Sequence, residues 1–172
     1  MNGVTNVATG LTVTTGLVAG VVHVGFAAET RRLLGFPFTG LPAHPSTALT
    51  IFAGNARILV CVVAAAVIVQ SPRCAGRSSR GVIVVSLLDT VVVLQTALNV
   101  LLIGAAVGAY GPRMIAAMLP HGPAELLAFS LALSLYLRSR RRAVSGAAIV
   151  WNGVAGLSLL LGAALLETYV VL

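Results

Sequence analysis

Charge is what this sequence lacks. Only 9% of its 172 residues are Asp, Glu, Lys or Arg, against about 25% in an ordinary soluble domain. Acids are the scarcest: Glu29, Asp89, Glu125 and Glu167 complete the set, and lysine is absent, so all 11 basic residues are arginine. With 58% hydrophobic residues beside so little charge, the composition excludes a soluble enzyme domain and a disordered tail. Two cysteines, Cys61 in an apolar run and Cys74 in a basic loop, do not make a disulfide scaffold and carry no redox motif. Four scattered acids leave no paired aspartates, no serine is set out for a histidine partner, and no cysteine stands beside a histidine. No Gly-rich phosphate loop follows a strand, which excludes an ATPase. No cofactor is expected. Met1 to Gly3 carry no basic residue ahead of the first apolar run, which argues against a cleaved signal peptide.

What is present is long apolar runs. A membrane-spanning helix needs about 20 mostly apolar residues, and five stretches supply them: Val4 to Ala28, Ser46 to Gln70, Gly81 to Tyr110, Met114 to Leu137 and Val144 to Val171. The expected fold is all-α, a polytopic membrane protein forming one integral membrane domain over residues 1–172. Breaker-rich loops separate the runs: GFPFTGLPAHPS with Pro37, Pro42 and Pro45, then SPRCAGRSSRG, then Gly111-Pro112-Arg113, then RSRRR. Ser46 is the expected N-cap of the second helix.

The net charge of +7 could suggest nucleic acid, but the arginines sit in short loops between apolar runs, so they read as topology signals and no nucleic-acid partner is expected. Loops two and four hold Arg73, Arg77, Arg80, Arg138, Arg140, Arg141 and Arg142; loops one and three hold Arg31, Arg32 and Arg113. Arginine excess marks the cytoplasmic side. Five spans then put the N-terminus inside and the C-terminus outside, in a plasma membrane. The same clusters would meet anionic headgroups.

Several polar residues fall inside the apolar runs, where they are costly and normally face the bundle interior. Asp89, Thr96 and Asn99 share one helical face; Asn152, Gly156 and Glu167 share another. His23, Arg57, Asn99, His121, Glu125 and Glu167 fall in the expected outer half. Arg57 and Glu125 lie near mid-depth, so a buried ion pair between them is expected, with a functional outer-half site as the alternative. Gly16, Gly20, His23 and Ala27 form a small-residue stripe that suits helix packing, against either a second copy or a partner. His23, His44 and His121 lack the local spacing of a metal site, and none is expected.

Pro120-His121-Gly122-Pro123 is the most informative local feature. Two prolines and a glycine break a helix, and backbone freed at membrane depth must be buried in protein or face water. The favoured reading is a capped re-entry, with Met114 to Leu119 along the surface and a span from Pro123 onward. The other is a deep discontinuous helix of the kind that aims half-helix ends at ligands.

MLPHGPAELLAF, Met118 to Phe129, resembles the Pro-His-Gly…Glu signature of the stage II sporulation protein M family. ALNVLLIGAAVG, with Asn99, Gly104 and Gly108, stands where that family has a span bearing an Asn and glycines. IFAGNARILV, with Phe52 and Asn55, is similar to its aromatic-then-Asn segment, and ALLETYV, with Glu167 and Tyr169, to its acid-then-aromatic ending. The resemblance covers about Phe52 to Tyr169. Gly54-Asn55 departs from the family's paired asparagines, and Arg57 is unusual there. The resemblance implies a bacterial accessory membrane protein. Relatives act in sporulation and envelope remodelling, accompany ABC transporters, or serve the maturation, export and immunity of circular bacteriocins.

The expected function is a non-enzymatic subunit of a membrane assembly. Its partners would be the lipid bilayer and other membrane proteins, such as an ABC-type transporter, or further copies of itself. Pro120, His121, Gly122 and Glu125 would form its centre, with Asn55, Asn99 and Glu167 packed around it. A small transporter or channel using the outer-half polar site is the alternative; an intramembrane peptide-maturation enzyme with His121 and Glu125 as acid and base is a further one.

Overall fold

The computed structural model describes residues 2–35, 43–75 and 79–170. Among them the only regular secondary structure is helix: α1 (Asn2–Gly25), α2 (Ala27–Leu34), α3 (Pro45–Val69), α4 (Pro72–Ala75), α5 (Ser79–Tyr110), α6 (Pro112–Met118), α7 (Gly122–Arg141) and α8 (Gly146–Tyr169). Four of these, α1, α3, α5 and α8, are long and apolar enough to cross a membrane. The α6 and α7 helices qualify together as a fifth span, bent by 71° at the break. The architecture is that of a multi-pass membrane protein with one broken segment. Arg77, Pro37, Pro42 and Leu172 lie outside the described residues.

The helix ends follow local chemistry. Pro45 occupies the first position of α3, so the cap is the residue before it. His44, rather than Ser46, takes that role: its Nδ1 accepts from the Ser46 amide at 3.3 Å and the Ser46 hydroxyl at 2.7 Å. The first apolar run ends three residues early, at Gly25, and α2 follows as a separate exposed helix closed by Gly35 in the left-handed region, φ 53°. Gly111 makes the turn from α5 into α6 at φ 59°, a conformation that L side chains rarely adopt, and Pro112 then opens α6. Ser145 caps α8 by accepting from the Ala148 amide at 3.3 Å.

Two groups of helices form the bundle. In the first, α3, α7 and α8 pack on one another. Leu59, Ala66, Ala128, Leu135 and Leu160 are almost completely buried at their centre. Alanines at these seams bring the backbones close, as membrane packing requires. Gly156 does the same against Leu59: a Cβ there would lie 2.5 Å from the leucine Cδ1. In the second group, α1 lies along α5. The small residues that permit this approach are on α5. A Cβ on Gly104 would fall 2.7 Å from Val18, and one on Gly108 would strike the Ala19 carbonyl. Gly16 and Gly20 have nothing near them and face outward with His23, whose Nδ1–H donates to the Gly108 carbonyl at 3.3 Å.

Candidate functional site

Between the two groups lies a cavity of about 630 Å³. Leu11, Thr12 and Thr15 of α1 and Gln95, Thr96, Asn99 and Ile103 of α5 line one side. Asn55, Ile58 and Val62 of α3 and Glu125, Leu126 and Phe129 of α7 line the other. Ile115, Met118 and Leu119 of α6, with Gly122 and Pro123, close one end. Most of the wall is apolar, with a small set of polar groups converging near the break, the composition of a binding cavity.

Glu125 is the central polar group. It stands in the first turn of α7, where unpaired helix N–H groups favour a carboxylate. The break places it there: α6 ends at Met118, the chain turns through Leu119 to His121, and the amides of Ala124 and Glu125 both donate to the His121 carbonyl, at 3.0 and 3.2 Å. The side chain accepts from Asn55 Nδ2 at 2.6 Å. Glu167 of α8 is close enough for its charge to act on Glu125.

The expected Arg57–Glu125 ion pair is therefore incorrect. Residues two apart on a helix point about 200° from each other. With Asn55 turned to Glu125, Arg57 faces outward and is exposed. An amide does the work assigned to the guanidinium.

Asn55, Asn99, Gly122 and Glu125 of the expected site thus meet at the cavity wall, with Glu167 nearby. Pro120 and His121 form the turn beside it. Nδ1 of His121 is buried without a hydrogen-bond partner. Arg57, Gly16, Gly20 and His23 lie elsewhere, all exposed. Gln95, Phe129 and Ile103 were not singled out from sequence, although Gln95 sits one residue before Thr96 on the polar face of α5. Among the described residues no three His, Cys, Asp or Glu side chains come together to hold a metal. Cys61 and Cys74 are free, and Cys61 is exposed on the outward face of α3.

A second polar cluster lies at the opposite, arginine-rich end. Asp89 accepts from Arg140 at 2.9 and 2.8 Å, one bond to each carboxylate oxygen, and from the Tyr136 hydroxyl at 2.5 Å. Nearby, Gln70 ties the end of α3 to the α7–α8 turn by accepting from the Val144 amide at 2.5 Å. Arg138 donates to Asn152 at 3.4 Å. No family model matches the chain, and no curated protein or solved structure is significantly similar to it.

Proposed function

We propose that the chain is a non-enzymatic accessory subunit of a bacterial plasma-membrane assembly, and that it receives an apolar segment of a client peptide in the cavity between α1–α5 and α3–α7. The observation that carries this reading is the cavity itself. It is large, mostly apolar, bounded by helices that could span a membrane, and provided with one carboxylate–amide pair to fix a polar group of its occupant. Peptide export, maturation or immunity, or envelope remodelling, are the processes in which the stage II sporulation protein M resemblance would place it. The N-terminus would be cytoplasmic.

A transporter is the second reading, favoured by the run of Gln95, Thr96 and Asn99 beside the Glu125–Asn55 pair. The enzyme reading is weaker, because Glu125 accepts its hydrogen bond from Asn55 and Nδ1 of His121 has no partner.

Photo-crosslinking in the native membrane tests the proposal. A crosslinking residue at Ile103 or Leu126, inside the cavity, should yield one dominant peptide adduct, and the same residue at the exposed Val13 should yield lipid alone. Mild-detergent purification should return a membrane or ATPase partner in stoichiometric amount. A clean homo-oligomer carrying nothing, with solute flux in vesicles that Glu125→Gln abolishes, would favour the transporter.

A further inference from the structure

Arg57 sits at the centre of α3, twelve residues in from Pro45 and twelve back from Val69. It is exposed, and among the described residues it makes no ion pair or hydrogen bond. In a span this length, neither end of the helix is within reach of its side chain: each is about 18 Å away at 1.5 Å per residue. An unpaired arginine at that depth is expensive, and such groups are found facing protein or water.

Among the described residues no acid reaches it. Glu29 is paired with Arg32 at 3.7 Å and Asp89 with Arg140 at 2.8 Å, and Glu125 meets Asn55 at the cavity wall, on the side of α3 turned away from Arg57. Glu167 stands two residues before the end of α8, on the Glu125 side of the bundle. A second copy docked by twofold symmetry on this face would bring Arg57 against Arg57, since such an interface is made of the same patch twice. The surroundings suit a helix. Thr50, Ala53, Gly54, Cys61 and Ala64 flank Arg57 within about 60° on the same exposed face, with the larger Val60 at its edge and Ile68 near its end. The small side chains beside Arg57 let another backbone come close. The face is separate from the cavity, to which α3 turns Asn55, Ile58 and Val62.

We infer that this face of α3 is the docking surface for a membrane-spanning helix of a different protein, one that carries a carboxylate at mid-depth to pair with Arg57. The inference rests on the accessory-subunit reading and names the chemistry of the partner. It is independent of what fills the cavity.

The test uses the purified full chain in neutral phosphatidylcholine vesicles, with a dye at its N-terminus. The probes are labelled 25-residue Leu/Ala helices bearing one central Glu, Gln or Lys. Energy transfer should show the Glu helix associating about tenfold more tightly than the Gln helix, the range expected of a polar contact between helices in lipid. Arg57→Leu should erase that preference while keeping full helicity and an unchanged or higher unfolding temperature, and Arg57→Glu should transfer it to the Lys helix. Equal binding of the Glu and Gln helices, or a Glu preference that survives Arg57→Leu, would overturn the inference. So would self-association of the chain that Arg57→Leu abolishes. Loss of the cavity crosslink with the Glu preference intact would count against the client reading alone.

Discussion

Two carboxylates in this molecule are satisfied in opposite ways. Asp89, at the arginine-rich end, is held by a two-pronged guanidinium and a phenol, so its charge is matched within the fold. Glu125, at the broken span, has one neutral amide and an open apolar cavity in front of it. The first arrangement uses up its hydrogen-bonding capacity on the protein. The second leaves lone pairs aimed at whatever occupies the cavity. Asp89 therefore reads as a structural clamp between α5 and α7, and Glu125 as a group kept available.

The largest effect should come from removing the amide. Asn55→Leu leaves the half-buried Glu125 oxygen without its donor in a mostly apolar wall, and an acceptor so stranded costs about 2 kcal/mol. Detergent-solubilised protein should unfold at correspondingly lower denaturant. Pairing it with Glu125→Leu should recover most of the loss, because replacing both partners by apolar groups is close to neutral. A double variant as unstable as Asn55→Leu alone would show that the bond is not what α3 and α7 lose.

This pair also marks where sequence reading stops. The apolar runs, the arginine-bearing turns and the Pro120–Pro123 break are written in composition and in residues of fixed backbone preference, so the helices and the bend were legible. The residues Asn55, Asn99, Gly122 and Glu125 were legible as polar or breaker positions. Their pairing was not. Arg57 and Asn55 are both near mid-span, and formal charge favoured the arginine; only the rotation of α3 against α8, set by Leu59 entering the space left by Gly156, decides which of the two turns inward. The Asp89–Tyr136–Arg140 cluster escaped for a related reason. Its members are distant in sequence and meet because α5, 32 residues long, exceeds a bilayer core and carries Asp89 to the level of the last turn of α7. The seam between α1 and α5 was not read from sequence: Gly104 and Gly108 make that contact, while Gly16 and Gly20, expected to face a second copy or a partner, stand on the exposed side of α1.

Breaking the other member of the comparison should cost less. The side chains of Asp89 and Arg140 are both 38% exposed, so water screens them, and their coupling in a double-mutant cycle with Asp89→Ala and Arg140→Ala should be about 1 kcal/mol. It should shrink in high salt, whereas the Asn55–Glu125 effect should not change. A salt-independent cycle would mean that the clamp is more deeply enclosed than this geometry allows. Tyr136→Phe is milder still. Asp89 keeps both arginine bonds, so the loss should be about 0.5–1 kcal/mol, seen as a small shift in unfolding midpoint with no change in the cavity crosslink.

The smallest stability effect belongs to Glu125→Gln, and it separates the two carboxylates most sharply. The glutamine oxygen can still accept from Asn55, so unfolding should move by less than about 0.5 kcal/mol. What changes is the group presented to the cavity: a charge-bearing acceptor becomes a neutral amide. If Glu125 is kept available for an occupant, the crosslink from Leu126 should fall severalfold while stability stays put. Asp89→Asn should do the reverse, weakening the fold and leaving the crosslink in place. The same crosslink yield in Glu125→Gln as in the natural chain would show that the occupant is held by the apolar wall alone, and Glu125 would then join Asp89 as a device for packing helices.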